Sequence, residues 1–209
     1  MMKLTITSAE TLEAIYSRKD LPPTLHRILE QNTFQERAET EFLVSVRARN
    51  SFPDWGAGLN AINPTATLAA GQKTPFISLL EKGAGSLNEL KEVQLDLDES
   101  DLLAYEKVSN TPADRPIISV IIYLKFKERM IDQLRIAATG VSKAAYDCTD
   151  FSEDMSGKRL DSVLMKAISE KFKEMITPVD TYMGSAVYRR DMAGVLVERI
   201  LSKKINGDL

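Results

Sequence analysis

The chain contains one cysteine and one histidine, and this scarcity excludes several kinds of site. Cys148 alone cannot build a disulfide framework, and with His26 it cannot supply a four-ligand zinc site or an iron–sulfur cluster. A Ser-His-Asp or Cys-His catalytic site would have to use His26, which lies just inside a predicted helix start. We therefore expect both to be ordinary packing or surface residues, and we predict no metal site and no catalytic residue in this chain.

Long apolar runs and basic blocks are also missing. No apolar run approaches the ~20 residues that a membrane span needs, and the first residues lack the apolar segment of a signal peptide. The formal net charge is -3 and no cluster of Lys and Arg stands out, which disfavours nucleic acid as a partner. The chain is 44% hydrophobic and 27% charged, so it can bury an ordinary core. We expect a cytoplasmic globular protein with neither nucleic acid nor membrane as a partner.

Glycine is absent before Gly56, where the stretch "PDWGAGLNAINPTATL" combines a Gly-x-Gly with Asn-Pro. Glycine allows backbone N–H groups to approach a phosphate closely, so this stretch is a candidate ligand loop. A Gly-x-Gly by itself is a weak signal, and a simple bend between two elements is the alternative. The pattern predicts a loop over residues 53–64, and it leaves residues 1–55 without a glycine-rich phosphate loop.

The second half of the chain shows clear strand patterns. "LKEVQLDL" at 90–97 alternates between apolar and polar residues, which predicts a half-buried strand. "PIISVIIYLKFK" at 116–127 begins with apolar residues on both faces, which is typical of a central strand. "KERM" at 127–130 fits a tight turn, and "MIDQLRIAATG" at 130–140 returns as its partner. These segments together predict a meander of at least three antiparallel strands.

The residues after these predicted strands show the spacing of helices. One apolar stripe runs from Leu160 to Phe172, and Ser185 is a candidate N-cap for a last helix. The predicted buried stripe of that helix consists of Tyr188, Met192, Val195, Leu196 and Ile200. The whole pattern predicts an α+β protein, with a helical, loop-rich front and an antiparallel sheet packed with C-terminal helices.

Several motifs of the second half occur in one specific order. Tyr105-x-Lys107 and Asp114 precede the two long strands, and the second strand ends at Gly140. Tyr188-Arg189-Arg190 follows, then Val195-Leu196 and Arg199. In this order the motifs resemble the FAD-binding, or medium, subunit of molybdenum hydroxylases, the family of the carbon monoxide dehydrogenase medium subunit and xanthine dehydrogenase. The resemblance implies a flavoprotein C-terminal-like domain over residues 90–209.

The glycine stretch is similar to the second flavin loop of the same family. The matching positions are Gly56, Leu59, Pro64, Ala66 and Leu68. Ala57, Gly58 and Thr67 stand where the family has Gly, Asn and Asp. The resemblance implies that residues 1–89 are a truncated, degenerate second FAD-binding subdomain, without the family's N-terminal pyrophosphate-loop subdomain.

The function implied by the resemblance is that of an electron-transfer subunit. Electrons would pass from molybdenum-cofactor and iron–sulfur partner subunits through FAD to an acceptor. The implied FAD contacts are Lys107 and the backbone of Gly56, Ala57, Gly58 and Leu59, with the pyrophosphate loop supplied by another chain. The alternative is a flavin-free homologue that serves as an assembly or docking module, because Asp54 would repel a pyrophosphate. Association into a homo-oligomer is left open.

Overall fold

The computed structural model describes residues 2–83, 85–98, 100–111 and 114–207, and the chain forms two compact units, Met1–Glu99 and Ser100–Leu209. The elements of the first unit are β1 (Met2–Thr7), α1 (Leu12–Tyr16), α2 (Pro23–Leu29), α3 (Phe34–Glu39), α4 (Phe42–Arg47), α5 (Pro53–Ile62), β2 (Thr65–Leu68), β3 (Lys73–Pro75), α6 (Phe76–Glu81), a 3-10 turn (Ser86–Glu89) and β4 (Leu90–Leu97). Those of the second unit are β5 (Leu102–Val108), β6 (Ile118–Lys127), β7 (Met130–Thr139), β8 (Tyr146–Asp150), α7 (Ser152–Met155), α8 (Ser162–Met175) and α9 (Ala186–Asn206). Within the described ranges, no helix is long and apolar enough to cross a membrane.

The predicted strand at residues 90–97 is present as β4, but its partners differ from the prediction. Val93, Leu95 and Leu97 are buried, as the alternation indicates. However, β4 pairs with β1 and β2 in an antiparallel sheet of order β1-β4-β2-β3. The prediction that it joins the C-terminal meander is therefore wrong, because alternation defines a buried face and not the neighbouring strand. The first unit is helical, as expected, and also contains this sheet.

The sheet of the second unit is an antiparallel meander of order β5-β6-β7-β8. β6 is an inner strand, and its residues 118–124 are all buried, which confirms the central strand. Glu128 and Arg129 have φ angles of 53° and 67°, so the predicted tight turn is a two-residue hairpin loop of the type I′ kind. The fold class predicted from the sequence is confirmed.

Helices α8 and α9 pack on one face of this sheet and form the core of the second unit with it. Residues of β6 and β7 on that face contact buried side chains of both helices, among them Ile168, Phe172 and Leu196. The predicted stripe of α9 is wrong in part, because Tyr188 and Val195 are 40% and 45% exposed. The buried residues are instead Arg189, Ala193, Gly194, Leu196, Val197, Ile200 and Leu201. The prediction failed because it considered apolar spacing only, whereas the charged Arg189 is among the buried residues.

Arg189 is 3% exposed, and its guanidinium binds backbone from three other segments. Nη1 donates to the carbonyl of Ile117 at 2.6 Å and to that of Gly140 at 3.1 Å. Nη2 donates to Thr181 Oγ1 at 2.5 Å, and Nε donates to the carbonyl of Gly184 at 3.4 Å. Ile117 immediately precedes β6 and Gly140 immediately follows β7. The arginine therefore joins one end of the sheet and the 181–184 turn to the first turn of α9.

Replacement of Arg189 by methionine tests this role. We expect Arg189→Met to lower the free energy of unfolding by about 3 kcal/mol, because buried carbonyl acceptors lose their charged donor. Arg190→Met is the matched control, since Arg190 is half-exposed, and its effect should stay within about 0.5 kcal/mol. Urea unfolding followed by circular dichroism measures both. Equal unfolding midpoints for the two variants would contradict the role of Arg189.

A second test uses glycines with the same backbone conformation. Gly140 has φ +73°, and a Cβ there would lie 2.3 Å from the carbonyl oxygen of Ile117 and 2.7 Å from Arg189 Nη1. Gly157 has φ +75°, and a Cβ there would meet no atom within 4 Å. We expect Gly157→Ala to destabilise by about 1 kcal/mol, the cost of a left-handed alanine, and Gly140→Ala to cost at least ~2 kcal/mol more. Equal losses of unfolding free energy in the two variants, measured with urea, would show that the close approach at Gly140 does not contribute to stability.

Candidate functional site

The stretch predicted as a loop at 53–64 is mostly helix, and that prediction is wrong. α5 spans Pro53–Ile62 and ends at Asn63, whose φ of 52° is left-handed. Pro53 lies at the start of the helix, where its fixed φ fits and its missing N–H costs nothing. Interior glycines cost about 1 kcal/mol each in a helix, but burial of the apolar residues offsets this. Trp55, for example, is 1% exposed and packs edge-on against Phe42 at 6.2 Å between ring centroids.

Gly58 serves helix packing in this structure. A Cβ at Gly58 would lie 3.2 Å from Ile28 Cδ1 and 3.3 Å from Leu25 Cδ2. Both neighbours belong to α2, so the absence of a side chain at Gly58 allows α2 and α5 to approach closely. Side chains of α2 fill the space beside this glycine. The contact between α2 and α5 therefore accounts for a glycine at position 58, and this account requires no ligand.

The first turn of α5 does not fit a pyrophosphate, the group that the family resemblance implies. Pro53 has no N–H, and the N–H of Gly56 donates to the carbonyl of Phe52 at 3.0 Å. Asp54 is 5% exposed and places a carboxylate in this turn. A carboxylate at a helix N-terminus takes the electrostatic position that a bound anion would take. Gly56, Ala57, Gly58 and Leu59 are all buried within the helix.

A cleft of about 250 Å³ lies near the C-terminal end of α5. It is lined by Asn63, Thr65, Lys73, Thr74 and Pro75. Its volume lies just below the ~300–1,000 Å³ range of sites for drug-sized ligands. Sequence reasoning missed this cleft, because its lining comes from the β2–β3 hairpin and the helix end, which no motif marks.

Lys107 lies in the second unit, on the sheet face opposite to α8 and α9. It pairs with Ser119, which pairs with Thr139, and Thr139 pairs with Tyr146, so the four side chains form one row across the sheet. Ser119 Oγ and Thr139 Oγ1 form a buried hydrogen bond of 2.8 Å. Lys107 Nζ donates to the carbonyl of Asp114 at 3.2 Å. This hydrogen bond links Lys107 of β5 to a residue that precedes β6.

Cys148 occupies the adjacent row of the same face, opposite Ala137. Burial raises the pKa of its thiol to about 12, so the thiol stays protonated at neutral pH and is a poor nucleophile. In the first unit, His26 stacks against Tyr16 with 4.0 Å between ring centroids. These surroundings favour the ordinary packing roles expected for both residues.

Residues 103–203 match the family model of the CO dehydrogenase flavoprotein C-terminal domain. The matched segment is just under half of the chain. It contains Lys107, Arg189 and every strand and helix of the second unit except the first residue of β5 and the last turn of α9. The recognition from the ordered motifs of the second half is confirmed.

Similar proteins extend the comparison to the rest of the chain. The glyceraldehyde dehydrogenase medium chain of Sulfolobus acidocaldarius is 26% identical over 145 residues, which cover 66% of this chain and 52% of that protein. The chain thus spans about half the length of this relative. CO dehydrogenase of Hydrogenophaga pseudoflava has a similar fold, with a TM-score of 0.77 at 17% identity over 97% of this chain and 75% of that one. Quinoline 2-oxidoreductase of Pseudomonas putida also has a similar fold, with a TM-score of 0.73 at 16% identity over 99% of this chain and 76% of that one.

The packing role of Gly58 is testable with a double-mutant cycle. Ile28→Val removes Cδ1, the atom nearest to the missing Cβ of Gly58. We therefore expect Gly58→Ala to be more favourable in the Ile28→Val background than in the original chain, with a coupling of about 0.5–1 kcal/mol. Urea unfolding of the four proteins measures it. If the effects of the two substitutions on the free energy of unfolding were strictly additive, this would contradict a contact between Gly58 and Ile28.

Proposed function

We propose that the chain functions as a flavoprotein-type subunit of a molybdenum hydroxylase-like oxidoreductase. In this role it belongs to an electron-transfer assembly, in which electrons pass from molybdenum-cofactor and iron–sulfur partners to FAD and on to an acceptor. The observation that carries the proposal is the match of residues 103–203 to the CO dehydrogenase flavoprotein C-terminal domain. The relative named a medium chain and the fold likeness over nearly the whole chain support it.

The contribution of this chain to FAD binding is limited in this proposal. When bound, FAD supplies the electron-accepting chemistry, and protein supplies binding and electrostatics. Lys107 is the one proposed contact with a cationic side chain, and it already donates to the carbonyl of Asp114. The backbone of Gly56, Ala57, Gly58 and Leu59 belongs to the interior of α5. We therefore propose that residues outside α5, supplied by another chain, hold the phosphates.

A second candidate function is favoured by the first turn of α5. Asp54 and the packed Gly58 remove the features that a second flavin loop would use. A homologue that has lost flavin could keep the sheet and the C-terminal helices as an assembly or docking module. Charge-assisted hydrogen bonds contribute about 1.5–3 kcal/mol each, so the loss of such anchors is hard to offset. The two candidates share the family and differ in the presence of flavin in the assembly.

Flavin content decides between these candidates. We expect the purified chain to be colourless and to gain no thermal stability from added FAD, because α5 lacks an anion site. Visible absorption and a thermal melt with and without FAD measure this. A flavin band that co-elutes with the chain alone would contradict our account of α5. Flavin in an assembly isolated through a tagged copy of the chain would support the electron-transfer role, and a flavin-free assembly would support the docking role.

The proposed contact of Lys107 has a matched control in Lys91. Lys91 is exposed on β4, where it belongs to the other unit. If the assembly contains flavin, Lys107→Met should release it at lower denaturant concentration than Lys91→Met does. Identical release from both variants would remove Lys107 from the proposed site.

A further inference from the structure

The outer edge of β1 directs backbone groups away from its sheet. In the described part of the chain, β1 is the last strand of the sheet and pairs with β4 on one side only. The carbonyl of Thr5 and the N–H of Thr7 bond to side chains outside the ladder. Since alternate residues of a strand direct their backbone groups to opposite sides, Lys3, Thr5 and Thr7 form the outer edge. An edge of this kind is a template for pairing with a strand of another chain.

Arg18 covers the middle of this edge. Its Nη1 donates to the carbonyl of Thr5 at 2.7 Å and to Glu10 Oε1 at 3.2 Å. Asp20 orients the guanidinium, because its two carboxylate oxygens accept from Nε and Nη2 of Arg18, each at 2.9 Å. The guanidinium therefore lies beside Thr5, where the N–H of an added strand would have to lie.

Glu10 covers the end of the same edge. Its Oε2 accepts from the N–H of Thr7 at 2.8 Å and from Thr7 Oγ1 at 3.3 Å. The N–H of Glu10 donates to the carbonyl of Thr7 at 3.2 Å, so both outward backbone groups of Thr7 are bonded within the chain. The ion pair between Arg18 and Glu10 joins the two contacts. We refer to Glu10 and Arg18 as the edge clamp.

The residues of β1 are complementary to β1 of a second copy. If Thr5 of the two copies faced each other in an antiparallel ladder, Leu4 would lie opposite Ile6, and Lys3 opposite Thr7. Leu4 and Ile6 are buried and the other three residues are exposed, so apolar residues would oppose apolar ones on one face of the joined sheet. No two lysines would meet, which avoids repulsion across the ladder. This two-fold contact is closed, so it accepts one further copy of the chain.

We propose that the edge clamp prevents β1 from pairing with β1 of a second copy. Strand addition needs the backbone groups of Thr5 and Thr7, and the clamp bonds the carbonyl of Thr5 and both outward groups of Thr7. Removal of the Arg18 side chain therefore opens the middle of the edge. Charged side chains and covering segments protect sheet edges in many proteins. The proposal concerns the first unit alone and does not rest on the proposed function.

The test compares Arg18→Met with Arg37→Met. Arg37 is the matched control, because it also bonds a glutamate and a backbone carbonyl of the first unit. Its Nε donates to Glu13 Oε2 at 2.7 Å and its Nη1 to the carbonyl of Asn32 at 2.5 Å, and neither acceptor belongs to β1. Sedimentation velocity over a series of protein concentrations measures self-association, and circular dichroism checks that each variant is folded.

A third protein carries Thr5→Pro in addition to Arg18→Met. Proline removes the outward N–H of Thr5, and it is tolerated on an edge strand where that N–H faces away from the ladder. The double variant therefore keeps the clamp open but blocks strand addition. A merely structural role of Arg18 would not be reversed by this second substitution. Glu10→Ala, which frees the N–H of Thr7, serves in place of Arg18→Met if that variant fails to fold.

We expect Arg18→Met to self-associate at least about tenfold more tightly than the original chain and Arg37→Met do. Addition of Thr5→Pro should return association to the level of the original chain. Equal association of Arg18→Met and Arg37→Met would overturn the proposal, as would association of the double variant that matches that of Arg18→Met. Self-association of the original chain that Thr5→Pro abolishes would also overturn it, because the edge would then be open with the clamp in place.

Discussion

The buried guanidinium of Arg189 is the contact on which the architecture of the second unit depends. A buried cation is tolerated only if acceptors surround it, and here the acceptors are carbonyls at the end of β7 and just before β6, together with the 181–184 turn. Gly140 meets this requirement by having no side chain where the guanidinium approaches. At the opposite end of α9, Lys203 pairs with Glu106 of β5. Polar contacts thus hold both ends of this long helix, and the apolar core lies between them.

Close packing at glycine has a comparable role in the first unit, and it changes the interpretation of the Gly-x-Gly stretch. The sequence around Gly58 resembles a flavin loop, whereas the structure uses the missing side chain for contact between α2 and α5. One residue type serves both purposes, because each requires another group to approach the backbone closely. The match of residues 103–203 to the CO dehydrogenase flavoprotein C-terminal domain is therefore separate from ligand binding by α5, and the two questions need separate experiments.

Periodicity predicted most elements of the second unit. It failed where strand pairing or burial depends on contacts with distant segments of the chain. Alternation located β4, but its neighbours β1 and β2 are distant in sequence, and alternation contains no information about them. The stripe of α9 was misplaced because Arg189 is buried through acceptors contributed by other segments. α5 was predicted as a loop because its glycines and proline are poor helix formers, whereas burial of Trp55 and its neighbours outweighs propensity. The candidate site residues were predicted from the family resemblance. Whether they can contact a ligand depends on the residues that pack around them, which the resemblance does not specify.

The amino-acid sequence by itself determined the fold class, the central strand, the hairpin turn and the family resemblance of the second half. Each of these follows from local patterns or from motifs in a fixed order along the chain. Tertiary structure alone decided that Gly58 packs against a helix, that Arg189 is buried, and that the backbone of residues 157–158 runs beside the start of β7. The physical reason is common to all three. Burial and close approach depend on groups that are far apart in the chain, and no local pattern records them.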